Sequence, residues 1–326
     1  MDLSIKRSLL IAAVVGVGLS GCSQVVPPHL KPIPPEAKAL LAKKGMREDA
    51  PIFVRIFKEE NELEIWKAKA DGRFHHFKTY PICNYSGGLG PKFKQGDKQS
   101  PEGFYKVSAK QMNPNSSYHL SFNLGYPNAF DKSHKRTGNY LMVHGDCKSA
   151  GCYAMTDALI EEIYAFAREA FSGGQKAFDV HAYPFRMTNG NMQRHVKNKH
   201  YAFWRNNLYQ GYRDFENVKL PPKVDVCERR YLVNVGFTNG QKPTDPTAAC
   251  PTYQRLPVEA IPRPPMFQEA KRKAPMSPLP QKQASASPAP SAAAQASVGS
   301  GSTFGFAPAK PSVAGFAFRL NSTLSR

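Results

Sequence analysis

The chain has 326 residues and carries 44 Lys+Arg against 25 Asp+Glu, a formal net charge of +19. Such a balance excludes polycationic partners and selects polyanions: nucleic acid, or the carboxylates and phosphates of a cell envelope. No internal repeat is present, which excludes a repeat array, and the segments able to fold amount to roughly 200 residues, one domain with an appended segment.

Residues 1–21 read as an export signal. Lys6 and Arg7 form a basic start, and the apolar run from Ser8 to Leu19 is far too short to cross a bilayer as a helix. The run ends in Leu19-Ser20-Gly21-Cys22, which resembles the lipobox of bacterial lipoproteins. The resemblance implies cleavage before Cys22 and lipidation of that cysteine. With Ser23 and not Asp next, it also implies delivery to the outer membrane, facing the periplasm. The alternative is an ordinary secretory signal. Export removes nucleic acid from the partners and leaves peptidoglycan carboxylates and lipid phosphates. The bland account of the charge is solubility. Pro27, Pro28, Pro32, Pro34 and Pro35 predict an extended tether over residues 22–50.

From residue 51 the pattern alternates. Ile52 to Phe57, Leu63 to Trp66 and Phe74 to Tyr80 predict a β-meander, with turns at Lys58 to Asn61 and at Asp71-Gly72. Residues 84–103 are polar and Gly-rich and predict a loop on the substrate side. Phe104 to Val107 and Leu141 to Val143 are further strands. Thr156 to Phe171 is the best helix, with Leu159, Ile160, Ile163, Phe166, Ala167 and Ala170 at helical spacing and Gly173-Gly174 as its stop. Ala177 to Tyr183 returns as a strand. Residues 190–216 read as aromatic-rich helix packed on the β core. The predicted fold is therefore mainly β with peripheral helices. Its segments are a domain over 51–188, a helical extension over 189–255, and a disordered Pro/Ala/Ser-rich tail over 256–326.

The chemistry concentrates in Tyr140-Leu-Met-Val-His-Gly-Asp-Cys-Lys-Ser-Ala-Gly-Cys-Tyr-Ala-Met-Thr-Asp157. His144 ends an apolar strand, and Cys152 follows a glycine across a short polar loop. A thiol attacks carbonyls as thiolate, and a nearby imidazole is the usual means of forming one. Setting Cys22 aside leaves five cysteines, so at least one thiol stays free or pairs between chains. Cys227 with Cys250 is the first pairing and Cys83 with Cys147 the second, which leaves Cys152 free. A zinc site on His144, Cys147 and Cys152 is a rival, but the spacing fits no closed site and no fourth ligand is near. A buried structural Cys152 is another. His134 lies in a polar loop and is a weak candidate for substrate contact. Lys92, Lys94 and Lys98 either meet substrate carboxylates or form a solvated loop.

The order His144-Gly145, Ser149-x-Gly151-Cys152 resembles the L,D-transpeptidase (YkuD-type) family. Tyr80-Pro-Ile-Cys83, Leu89-Gly-Pro-Lys92, Gly96-Asp97, Pro101-Glu-Gly-Phe-Tyr105, Gly125-Tyr-Pro-Asn128 and Gly151 to Asp157 are similar to its YafK-like branch, over roughly residues 51–220. The resemblance implies a β-sandwich-like catalytic domain that acts on peptidoglycan stem peptides without metal or organic cofactor. It implies Cys152 as nucleophile, His144 as general base and acid, and the Gly145 carbonyl as the group orienting the imidazole. Main-chain N–H groups at Gly151 and Cys152 are the oxyanion donors, and Ser149 holds the loop or the substrate. Tyr153, Tyr126 and Lys92 are the candidate substrate contacts. The interval from histidine to cysteine is short, and Tyr153-Ala154 follows the cysteine, as in that branch. The acyl-enzyme then resolves either with an amine, giving transpeptidation, or with water. Hydrolysis covers an L,D-carboxypeptidase or release of a peptidoglycan-linked lipoprotein. A non-catalytic peptidoglycan-binding lipoprotein is the third reading.

Overall fold

The computed structural model describes residues 26–257 and Ile261. The predicted signal, Cys22 and all of the predicted tail except residues 256, 257 and 261 lie outside them. Helix α1 (Pro35–Lys43) leads into the meander β1 (Ile52–Phe57), β2 (Glu62–Ala68) and β3 (Phe74–Pro81). Next come β4 (Asn84–Tyr85), β5 (Gly103–Ser108) and the hairpin β6 (Met112–Ser116) and β7 (His119–Asn123). Helix α2 (Ala129–Ser133) precedes β8 (Met142–His144) and β9 (Tyr153–Ala154), followed by α3 (Asp157–Ser172) and β10 (Ala177–Tyr183). The helical extension is α4 (Asn189–Arg194), α5 (Tyr201–Phe203), a π-helical turn (Trp204–Leu208) and α6 (Tyr209–Val218). Two small hairpins close the described chain: β11 (Val224–Cys227) with β12 (Arg230–Val233), and β13 (Val235–Phe237) with β14 (Tyr253–Arg255).

The strands form two five-stranded sheets, ordered β3-β2-β1-β10-β5 and β4-β9-β8-β7-β6. β1 is the central strand of the first sheet, antiparallel to β2 and parallel to β10. All six of its residues are buried, because side chains alternate between two covered faces. Ile52, Val54 and Ile56 enter the main core with Leu120 and Phe122 of the second sheet and Ile160, Ile163 and Phe166 of α3. Phe53 and Phe57 face the other way, against Phe215 and Tyr212 of α6. Each such side chain contributes about 1.5–3 kcal/mol by leaving water. Arg55, on that second face, is buried between the carboxylates of Glu64 and Glu216, which satisfies its charge. Trp204 and Leu208 join the same layer, so a boundary at residue 188 marks no gap in packing.

Helix α3 obeys its sequence signals. The Thr156 hydroxyl accepts from the Leu159 N–H, and Gly173 follows the last turn. Its apolar stripe sits in the main core, deeper than a peripheral helix.

The predicted tether over 22–50 does not describe its second half. Pro34 and Pro35 stand at the N-cap and first position of α1, where a missing N–H costs nothing. Ile33, Ala37, Leu41 and Met46 are buried in the main core. Leu41→Ala is therefore expected to cost about 2–5 kcal/mol in chemical denaturation. Lys43→Ala, on the exposed side, should change stability by less than about 0.5 kcal/mol. An unchanged midpoint for Leu41→Ala would mean the segment is not part of the folded body.

Candidate active site

The site is built on the join between β8 and β9. These two strands run parallel, with Val143 opposite Tyr153 and His144 opposite Ala154. An eight-residue loop, 145–152, links them, and it is held at several points. The Met155 N–H donates to the His144 carbonyl (2.7 Å), and the Asp146 N–H donates to Asp157 Oδ1 (2.8 Å) at the start of α3. Asp146 and Cys147 adopt left-handed φ values of 64° and 48°. A disulfide joins Cys147 to Cys83, and the Cys83 N–H donates to the Ala154 carbonyl (2.9 Å). Cys227 is bonded to Cys250. Cys152 is the free cysteine among the described residues. With Cys147 committed to Cys83, the His144, Cys147, Cys152 spacing does not present three metal ligands.

His144 is buried, and its ring is fixed from behind. Nδ1 lies 2.5 Å from the Gly145 carbonyl, which can only accept, so Nδ1 carries the proton and Nε2 is the basic nitrogen. Gly145 makes this turn possible. A Cβ there would stand 2.5 Å from Asp157 Oδ1. Its N–H donates to the carbonyls of Tyr118 (3.1 Å) and Leu120 (3.2 Å). The Tyr118 ring packs against His144 with centroids 4.8 Å apart. Burial holds the imidazole below its ordinary pKa, opposed by the Gly145 hydrogen bond and the Asp146 charge.

Cys152 Sγ accepts from the Met142 N–H (3.4 Å) and donates to the Tyr140 carbonyl (3.5 Å). No hydrogen bond joins it to His144. Burial pushes the thiol above its ordinary pKa, opposed by the Met142 N–H and the Lys92 charge. Burial thus favours the neutral thiol and the neutral imidazole, where the sequence predicts a thiolate. The reason is desolvation, which penalises both charged forms. Both side chains line one cavity of about 390 Å³, together with Lys92, Lys98, Tyr118, Asn139, Tyr140 and Lys148. A larger cavity of about 1360 Å³ runs along β5 and contains neither group.

The other predicted residues fall into place unevenly. The Ser149 hydroxyl donates to the Cys152 carbonyl (2.8 Å) and accepts from the Gly151 N–H (3.3 Å). Ser149 thus holds the loop, and in this state the Gly151 N–H points at that hydroxyl and not into the cavity. Gly151 is required for its φ of +137° and for the Leu141 side chain, which a Cβ would meet at 3.1 Å. Lys92 lines the cavity, but its ammonium is held by the Asp97 carboxylate and the Lys94 carbonyl.

Tyr153 and Tyr126 do not line the cavity that holds Cys152 and His144. Tyr153 is fully buried, with its hydroxyl on the Pro101 carbonyl (2.7 Å). Tyr126 is buried and its hydroxyl donates to the Lys92 carbonyl (3.3 Å), supporting that loop from beneath. His134 is held by the Arg229 carbonyl (2.7 Å) and does not line the cavity.

Sequence reasoning missed Ser100, Tyr118 and Tyr140. The fully buried Ser100 donates its hydroxyl to the Cys152 carbonyl (3.0 Å), a second clamp beside Ser149. Its own carbonyl accepts from Lys58 Nζ (3.0 Å), which is paired in the interior with Glu102 (3.1 Å). Ser100 directly precedes the Pro101-Glu-Gly-Phe-Tyr105 word, which was the available signal.

A cysteine and a histidine on the β8–β9 join of a two-sheet fold define a class. Residues 56–180 match the family model of the YkuD L,D-transpeptidase catalytic domain. The chain is 44% identical over 230 residues to YafK of Escherichia coli (strain K12), provisionally named an L,D-transpeptidase, covering 71% of this chain and 89% of YafK. YafK of Escherichia coli O157:H7 matches to the same extent. The chain belongs to the L,D-transpeptidase family of peptidoglycan enzymes. Among solved structures, the helical cell shape determining protein Pgp2 from Campylobacter jejuni aligns with a TM-score of 0.33 and 18% identity, over 58% of this chain and 79% of Pgp2.

The neutral resting pair has a measurable signature. Alkylation of Cys152 by iodoacetamide is expected to rise about tenfold per pH unit from pH 6 to beyond the ordinary thiol value. Cys152→Ala is the blank. A rate already at plateau at pH 6 would mean a preformed thiolate and would contradict the geometry.

Proposed function

We propose that the protein is a cysteine acyltransferase of the cell wall, with Cys152 as nucleophile and His144 as the proton carrier. One observation carries the reading. The free thiol of Cys152 and an imidazole whose Nδ1 is already committed open into the same cavity. The acyl donor is a stem peptide bound by the carbonyl of its L-centre, in an L,D-peptide bond. Rotation of the Cys152 side chain away from the Tyr140 carbonyl turns the thiol toward His144. As sulfur bonds to the substrate carbonyl carbon, the thiol proton passes to Nε2. The oxyanion faces the main chain at Cys152. Nε2 then returns the proton to the departing amine as the carbon–nitrogen bond breaks, leaving a thioester. An incoming amine or water repeats the sequence in reverse, its proton passing through His144 to the sulfur as the carbon–sulfur bond breaks.

An amine acceptor makes the protein an L,D-transpeptidase, which is the reading we favour. YafK carries that name, and a stem-peptide amine is the abundant nucleophile of the substrate polymer. Water as acceptor makes it a carboxypeptidase, or a hydrolase that frees a lipoprotein from peptidoglycan. The lipobox-like run ending in Cys22 supports a periplasmic enzyme, lipid-anchored to the outer membrane, as part of the same reading.

Isolated sacculi treated with the enzyme are expected to gain 3-3 cross-links, and Cys152→Ala should abolish the gain. His144→Ala should lower turnover roughly 10²–10⁴-fold. Loss of bound lipoprotein or of terminal residues, with no new cross-links, would assign hydrolysis. A muropeptide profile that Cys152→Ala leaves unchanged would overturn the catalytic reading.

A further inference from the structure

The described body begins at Val26, four residues past Cys22. Four residues span at most about 14 Å however they are arranged. The segment that follows is not free to lift away. Ile33, Ala37 and Leu41 are buried in the main core. Lys31 binds both oxygens of Glu161 on α3 (2.8 and 2.7 Å), and Arg168 donates to the His29 carbonyl (2.7 Å). On its outer side the segment shows Val26 at 47% and Leu30 at 54% exposure, with Pro27 and Pro32 also exposed. Scattered exposed apolar side chains are ordinary on a soluble surface. These differ in standing within a few residues of an acylation site.

We propose that Val26–Pro32 is a membrane-contacting surface. The partner is the leaflet that receives the acyl chains of Cys22, and Val26 and Leu30 sit in its interfacial region. This rests on the reading of Cys22 as lipidated. The body then lies against the bilayer, where a tether over 22–50 would have held it away. The consequence reaches the cavity. Glu161, which holds Lys31, also takes His119 Nε2 at 2.7 Å. His119 adjoins Tyr118, whose ring packs on His144. Three contacts therefore link the proposed membrane-contacting segment to the imidazole.

The test uses the full lipidated chain in vesicles of phosphatidylethanolamine and phosphatidylglycerol containing brominated acyl chains. Tryptophan is introduced singly as Leu30→Trp or, as an exposed control, Val196→Trp, with the wild-type signal subtracted. Intact mass establishes whether Cys22 is acylated. Emission from Leu30→Trp is expected to shift to the blue and to be quenched at least about twofold more than that from Val196→Trp. An acylated protein in which the two positions are quenched alike would overturn the membrane contact while leaving the anchor standing. A mature chain without acyl mass at Cys22 would overturn the anchor and the contact together. Neither outcome touches the chemistry of Cys152, which the muropeptide profile reads separately.

Discussion

The hydrogen bond from His144 Nδ1 to the carbonyl of its own neighbour, Gly145, sets the chemistry of this site. A neutral imidazole has two tautomers, and only one presents a basic Nε2 to the cavity. The acceptor is main chain, so no side-chain substitution removes it directly. It is also rigid. The Gly145 N–H is shared between two carbonyls of the β6–β7 turn and β7, and a Cβ at this position would meet His119 and the Tyr118 carbonyl at 3.0 and 3.1 Å. The Cys83–Cys147 bridge then pins the loop that carries the imidazole to the thiol. A proton acceptor held this firmly loses little entropy when substrate arrives.

Cys152 is positioned by a separate set of contacts. The Cys152 carbonyl receives two hydroxyls, from Ser149 within its loop and from Ser100 in the neighbouring one. Ser100 is held in turn by the interior pair Lys58 and Glu102. Glu102 also accepts from the Gly90 N–H (2.7 Å) and from Trp204 Nε1 (2.7 Å). The helical extension thus reaches the loop of Cys152 through one buried carboxylate. That explains why 189–218 packs as part of the same body, and why several motif words act as scaffold. Asp97 likewise gathers the N–H groups of Phe93, Lys94 and Gln99 around the cavity wall.

Much of the fold was legible because hydrophobic period is a local property. β1 to β3, β5, α3 and β10 follow alternation or helical spacing written in consecutive residues. The hairpin β6–β7 was not legible, since Asn113-Pro114-Asn115-Ser116 is polar and shows no period. α1 was masked by its prolines, although Ala37, Leu40 and Leu41 already stood at helical spacing. At the candidate site, the grouping of His144, Gly145, Ser149, Gly151 and Cys152 at one strand–loop join was legible from residue order. The burial of Tyr153 was not legible, because nearness in sequence to Cys152 says nothing about which way a side chain points. The burial that opposes ionisation of Cys152 was not legible for a different reason. It depends on how much water the fold leaves around sulfur, and no local pattern records that.

The proposed chemistry requires a covalent bond at one sulfur. A muropeptide with a tetrapeptide stem can be mixed with the enzyme, quenched in acid within the first turnover, and the protein weighed intact. The predicted result is an added acyl mass at Cys152, released by hydroxylamine and absent from Cys152→Ala. Product forming at full rate with no adduct at Cys152, or with the adduct on another residue, would contradict it.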